Sequence, residues 1–167
     1  EEAIHAVDET IPVKAITAYV YEEFLQNLNK DFAKREGLLF VGGFAHPPNA
    51  DAVLWFAKEV FPKIREQIKV NFYIVGSKVT DEIKALEQPG NGIIVKGFVS
   101  EEELADLYRN CRIVVVPLRY GAGVKGKVVE AIYNGAPIVT TPTGAEGIPF
   151  VDQVLKIADG ADQFAQT

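Results

Sequence analysis

The chain has 167 residues, and its 17 Lys+Arg against 23 Asp+Glu give a formal net charge of −6. Hydrophobic residues make up 48% of it, too many for a disordered chain, and the acidic balance excludes a broad nucleic-acid-binding surface while leaving room for one local anion site. A single cysteine, Cys111, excludes an internal disulfide and a Cys-rich zinc site. It suits a reducing compartment, so a cytoplasmic location is the expectation. No apolar run approaches the roughly 20 residues of a membrane helix, which leaves only peripheral membrane contact of a longer protein open. No signal-peptide pattern opens the chain and it contains no Met, so it reads as an excised fragment.

Residues 1–36 read as a connecting segment from an upstream domain, β-prone over Thr10 to Tyr21 and helix-prone over Tyr21 to Arg35. His5 in this segment is given no role. From Gly37 short apolar runs alternate with helical patterns. The runs are Leu38–Val41, Val70–Val75, Ile93–Lys96, Arg112–Val116, Ala136–Thr141 and a weaker Gln153–Ile157. Such runs predict strands buried on both faces, as in a parallel sheet. The first helix is predicted over Asp51 to Gln67, with Asn49 as N-cap and Pro62 kinking its last turns. Thr80 to Glu87 is a shorter helix. Ser100 to Asn110 opens with a capping box formed by Ser100 and Glu103. Lys127 to Asn134 is a helix stopped by Gly135. Gln163-Phe164-Ala165 starts one more. The βα alternation predicts an α/β fold: a doubly wound, Rossmann-like parallel sheet of about six strands with helices on both faces and right-handed crossovers.

Ligands of such sheets bind at the carboxyl ends of the strands. The richest of those ends is Pro117 to Glu130, a glycine-rich loop running into a helix. Its glycines let backbone approach a phosphate, the helix start offers amides, and Arg119, Lys125 and Lys127 add charge. The alternative is a solvated loop whose glycines serve only tight packing. Gly121-Ala-Gly123-Val-Lys-Gly126 also matches G-x-G-x-x-G, the dinucleotide fingerprint. It follows the fourth predicted strand instead of the first, and Thr140, Thr141 and Thr143 stand where an acidic residue is expected. Glu130, one turn into the helix, can accept hydrogen bonds from the vicinal hydroxyls of a ribose, or merely complement the helix dipole. His46 lies in the loop after the first strand, either as a ligand group or as polar surface. Cys111 reads as a packed thiol and Trp55 as core, while Arg35 is either surface or a domain-junction contact. No metal-ligand cluster is visible in the sequence.

Four segments carry a family resemblance: Leu38 to Phe56 with Gly42-Gly43 and Pro48-Asn49, Asn71 to Gly76, Ile94 to Tyr108, and Pro117 to Pro142 with Glu130-Ala-Ile-Tyr-Asn-Gly-Ala-Pro-Ile-Val-Thr. Thr143-Gly-Ala-Glu-Gly147 follows them. Together, from Gly37 to about Ala165, they resemble the C-terminal, donor-binding domain of two-domain GT-B glycosyltransferases, closest to the retaining family 4 (glycosyl transferases group 1). The resemblance implies a nucleoside-diphosphate sugar as substrate, no cofactor, no metal, and an N-terminal acceptor domain facing this one. It implies that Glu130 holds the donor ribose and that the loop Gly121, Gly123, Val124, Lys125, Gly126, Lys127 binds the diphosphate. Gly43 would let the diphosphate approach, Gly97, Phe98 and Val99 would border the base, and Arg119 and His46 would complete the donor site. Two positions depart from the family pattern. Ala122 stands where the first acid of a Glu-x7-Glu pair is usual, and the loop Phe44-Ala-His-Pro-Pro-Asn49 lacks the usual basic pair. The fragment is expected to bind nucleotide without turning over. A nicotinamide-binding redox domain and a non-catalytic nucleotide- or protein-binding module are the alternatives.

Overall fold

A computed structural model describes residues 2–14, 19, 21, 25 and 31–167. Half of the β-prone and helix-prone stretches expected within 10–35 lies outside the described residues. The first described elements are a short helix α1 (Glu2–His5) and a 3-10 turn over Phe32–Lys34.

The six apolar runs become β1 (Leu38–Val41), β2 (Phe72–Val75), β3 (Ile93–Gly97), β4 (Ile113–Val116), β5 (Ile138–Thr140) and β6 (Lys156–Ile157). They form one sheet in the order β3-β2-β1-β4-β5-β6, and every neighbouring pair is parallel. All six carboxyl ends therefore lie along one edge. Chain order reverses between β1 and β4, the topological switch point at which doubly wound sheets open a crevice. The sheet's core is apolar on both faces, with Leu39, Phe40, Phe72, Ile74, Val114 and Val116 fully buried.

The first long helix differs from its expectation. It starts earlier, as α2 (Pro47–Trp55), passes through a π-helical turn (Phe56–Val60), and continues as α3 (Phe61–Gln67). His46, not Asn49, is its N-cap residue, because the Pro47-Pro48 pair suits the first helical positions, where no amide partner is needed. Pro62 provides the physical cause of the widened turn. It has no N–H for the carbonyl four residues back, and the Phe61 amide donates to Phe56 O, five residues back. The wider turn brings Phe56, Val60 and Phe61 inward together. There Phe56 packs on Phe72 (4.7 Å between centroids) and edge-on to Phe164 (5.7 Å).

The other helices are α4 (Asp81–Lys84), α5 (Glu101–Asn110), α6 (Gly126–Tyr133), α7 (Pro142–Ala145), α8 (Val151–Val154) and α9 (Ala161–Gln166). Ser100 caps α5 by accepting from Glu103 N at 3.2 Å. Only this half of the predicted capping box forms, because the Glu103 carboxylate turns to Lys96 Nζ at 2.6 Å. Gly135, at φ +62°, ends α6 in the left-handed conformation, and Ala136 N reaches back to Ala131 O at 2.9 Å. The predicted sixth strand is shortened from its start. Val151–Val154 is helical, and only Lys156 and Ile157 pair with β5. The last helix spans Ala161–Gln166, wider than the three residues that signal it in the sequence.

Candidate donor-binding site

The loops after β1 and β4 meet over the switch point. His46, Pro48 and Asn49 from the first, and Leu118, Tyr120 to Ala122 and Val124 to Lys127 from the second, enclose a cavity of about 210 Å³. The second loop then becomes α6. The amides of Gly126 and Lys127 precede its first helical hydrogen bond, made by Val128 N to Lys125 O at 2.9 Å. The cavity is thus walled by a helix start, which favours anions.

The three cations expected here have different fates. Arg119 is exposed and turned away from the cavity. Its guanidinium donates in a fork to Asp51, with Nε to Oδ2 at 2.9 Å, and lies 5.9 Å from the Trp55 ring centre. Trp55 is half-buried: its ring packs against the core, edge-on to Phe164, and also faces this guanidinium. Lys125 folds back onto Gly123 O and pairs with Glu146 Oε2 at 3.1 Å. Lys127 alone of the three lacks a carboxylate partner among the described residues. Its ammonium sits above the buried Phe40 ring, 5.0 Å from the centroid, and donates to Asn49 Oδ1. Burial, followed by repulsion from Lys125, pushes its pKa from 10.5 down to about 8.

Glu130 does not line the cavity but stands one turn further along α6. The fully buried Tyr108 on α5 donates its hydroxyl to Glu130 Oε2 at 3.3 Å. Beside them Tyr21 stacks flat on Tyr133, with centroids 3.9 Å apart. Burial, and then the Glu130 charge, raise the pKa of the Tyr21 phenol above its ordinary value. Tyr19 lies over the start of the helix, where a β-carbon on Gly126 would come within 2.7 Å of its hydroxyl. The segment before residue 37 therefore contributes two aromatic rings to this region, whereas the sequence alone marks it only as a connection.

At the end of β1, Gly43 is close to Ser77, and its carbonyl accepts from Asn49 Nδ2 at 2.8 Å. At the far side of the sheet Gly97 ends β3 at φ +70°, with Phe98 82% exposed and Val99 half-buried behind it. Three strand spacings separate the ends of β3 and β4, about 14 Å. His46 is exposed at the cavity mouth. The structure thus brings His46, Gly121, Val124, Lys125, Gly126 and Lys127 together, with Gly43 and Gly123 in the same loops. It holds Glu130 one helical turn away, separates Gly97, Phe98 and Val99 along the sheet edge, and turns Arg119 to Asp51.

Sequence reasoning misses Asn49 and Tyr108 as parts of the site. Asn49 reads as a cap, and nothing in the spacing of Tyr108 distinguishes it from an ordinary core aromatic. Among the described residues no group of three or more His, Cys, Asp or Glu is placed to hold a metal ion, and no helix is long and apolar enough to cross a membrane.

Comparison with known proteins agrees with this fold. The chain is 32% identical over 136 residues to an uncharacterized 44.6 kDa protein in the cps region of Klebsiella pneumoniae, covering 77% of this chain and 33% of that one. Its fold matches a TarM mutant from S. aureus solved with fondaparinux, alpha-GlcNAc-glycerol and UDP, with a TM-score of 0.72, 16% identity, and coverage of 99% of this chain and 34% of that one. It also matches HepE from Anabaena in complex with UDP and glucose, with a TM-score of 0.60, 17% identity, and coverage of 81% and 38%. The chain spans about a third of the length of the curated relative. A family model described as glycosyl transferases group 1 matches residues 35–167, and the chain belongs to that family.

Proposed function

We propose that this chain holds the nucleoside-diphosphate end of a sugar donor for a retaining, family 4 glycosyltransferase of the hexosyl type. The observation that carries the proposal is Lys127, a half-buried cation without a carboxylate partner among the described residues, at the switch-point cavity and the start of α6. In sugar transfer the bond between the sugar's anomeric carbon and the diphosphate oxygen breaks, and the nucleoside diphosphate leaves with the electron pair. A bond to an acceptor oxygen forms, and that oxygen loses its proton. Charge grows on the diphosphate, so a fixed ammonium and helix amides, already desolvated, stabilise the transition state more than the ground state. These groups take the part a divalent metal would play. Glu130, held by Tyr108, accepts hydrogen bonds from ribose hydroxyls, and the exposed Phe98 borders the base.

The acceptor site is assigned to sequence outside this chain, since the chain spans only about a third of its curated relative. This chain then binds nucleotide without turning over, and the whole enzyme works in the cytoplasm. Ala122 lines the cavity where an acid would face the donor sugar. Selection among sugars therefore rests on neighbouring groups. A dinucleotide reading has less support, because the G-x-G-x-x-G stretch follows β4 and β5 ends in Thr140 without an acid.

Calorimetric titration with UDP, GDP, ADP and NAD tests the assignment, with wild type beside Lys127→Ala and Glu130→Ala. One diphosphate is expected to bind and to be weakened by both substitutions. Binding of NAD alone would establish the redox reading. An affinity for diphosphate unchanged by Lys127→Ala would overturn the site.

A further inference from the structure

Asn49 sits in the first turn of α2, is buried to 7% exposure, and uses both ends of its amide. Its Nδ2 donates to Gly43 O at 2.8 Å. That bond fixes the orientation of the group, because a carbonyl can only accept, so Oδ1 must face the other way. On that side lies the ammonium of Lys127, which donates to it. Gly42 leaves the necessary room. A β-carbon there would lie 2.9 Å from Asn49 Cγ and 3.0 Å from Lys127 Nζ.

We propose that Asn49 is a positioning residue for Lys127: its amide bridges the Gly43 carbonyl and the lysine ammonium and fixes that cation at the cavity between the ends of β1 and β4. The role rests on the donor-binding reading above and goes beyond it, by naming what keeps the diphosphate-binding charge in place when no ligand is bound. An acceptor is needed because the lysine's surroundings supply little else. Phe40 offers only the face of its ring, Lys125 repels, and Glu146 is occupied by Lys125. Asp51 is occupied by Arg119, and His46 lines the same cavity without an anionic charge. A neutral carbonyl suits the task better than a carboxylate. It orients the ammonium and leaves its full charge for the ligand, whereas a carboxylate would neutralise it. A purely structural role would require only the bond to Gly43.

The test pairs two readouts on the 167-residue chain: titration of the Lys127 Cε signal by NMR, assigned by its loss in Lys127→Met, and UDP affinity as a function of pH. Asn49→Leu removes the acceptor and Asn49→Asp keeps it with a charge. The expected result is opposite shifts of the Lys127 titration, down in Asn49→Leu and up in Asn49→Asp. UDP affinity should fall about tenfold or more in Asn49→Leu, and its decline at high pH should begin at a lower pH than in wild type. A Lys127 titration that Asn49→Leu leaves unchanged refutes the positioning role, whatever the chain binds. UDP affinity equal in wild type and Asn49→Leu refutes it as well. Should Asn49→Leu fail to fold, the sign of the Asn49→Asp shift decides. Failure of wild type to bind UDP would refute the donor reading, and the NMR titration would still judge Asn49.

Discussion

Replacing Lys127 by methionine keeps the volume of the side chain and removes its charge, which separates the energetic cost of the site from its use. The lysine titrates at about 8 in the folded chain against 10.5 ordinarily. At about 1.4 kcal/mol per pH unit, keeping it protonated in the folded state at pH 7 costs about 3 kcal/mol. The Lys127→Met variant avoids that cost but leaves Asn49 Oδ1 without its donor, a loss of about 1–3 kcal/mol. At pH 7 the variant should therefore be as stable as wild type or more stable by up to about 2 kcal/mol. The pH dependence is the sharper observable. Between about 8 and 10.5 the unfolded lysine is protonated while the folded one is not. The unfolded state then binds more protons, so wild-type stability rises with pH across that window. The variant lacks this rise, so its stability relative to wild type should fall by about 3 kcal/mol between pH 7 and 10.5, leaving it the less stable of the two at pH 10.5. Urea unfolding of both proteins at the two pH values measures the difference. Parallel stability curves would refute the claim that this cation is desolvated. UDP affinity should meanwhile be lost in the variant, although it folds as well as wild type.

Three further outcomes are expected. Tyr108→Phe should leave the thermal midpoint nearly unchanged but weaken UDP binding several-fold, since it removes only the hydroxyl that holds Glu130 at 3.3 Å; calorimetry measures this, and unchanged affinity would disconnect Tyr108 from the site. Phe56→Ala removes a fully buried ring touching Phe72 and Phe164, which should cost about 3–5 kcal/mol and lower the thermal midpoint by roughly 6–20 °C in a calorimetric scan. Burial pushes the Cys111 thiol up to about 12, so it should resist a thiol reagent at pH 8 until urea unfolds the chain, and prompt labelling of the folded protein would contradict its placement.

The inner strands β2, β1, β4 and β5 are legible in the sequence as short apolar runs, because burial on both faces demands that composition, whereas the edge strand β6 is two exposed residues and gives only a weak run. Parallel direction follows from the intervening helices, while the strand order emerges only in the structure. The site is legible where backbone chemistry marks it, in the glycine loop and the helix it opens. It is illegible where function depends on which partner a side chain finds. Arg119, Lys125 and Lys127 look alike in sequence. Asp51 and Glu146, distant along the chain, take two of them and leave the third. Asn49 reads as a cap because a polar residue before an apolar helix usually is one. Here Pro47 and Pro48 move the helix start upstream and place Asn49 inside. The sixth strand is overextended in the sequence reading because Val151–Val154 has a composition that suits strand and helix alike, and only pairing with β5 decides which residues extend.

The π-helical turn at Phe56–Val60 also constrains how this protein can change. Upstream of the turn, the helix presents His46, Pro48 and Asn49 to the cavity. Downstream, Phe61 packs in the aromatic cluster, and Arg65 ties α3 to Val70 O and Gly90 O at 3.0 Å each. The turn holds one residue more than an α-helical turn, so it sets the angular phase between the two halves. Winding the same residues as a plain α-helix would rotate one half by about 100° relative to the other. Either the cavity wall or the aromatic anchor would then face the wrong way. Pro62, which holds the extra residue in the turn, therefore keeps the cavity wall and the aromatic anchor in phase although it touches neither the cavity nor its ligand groups.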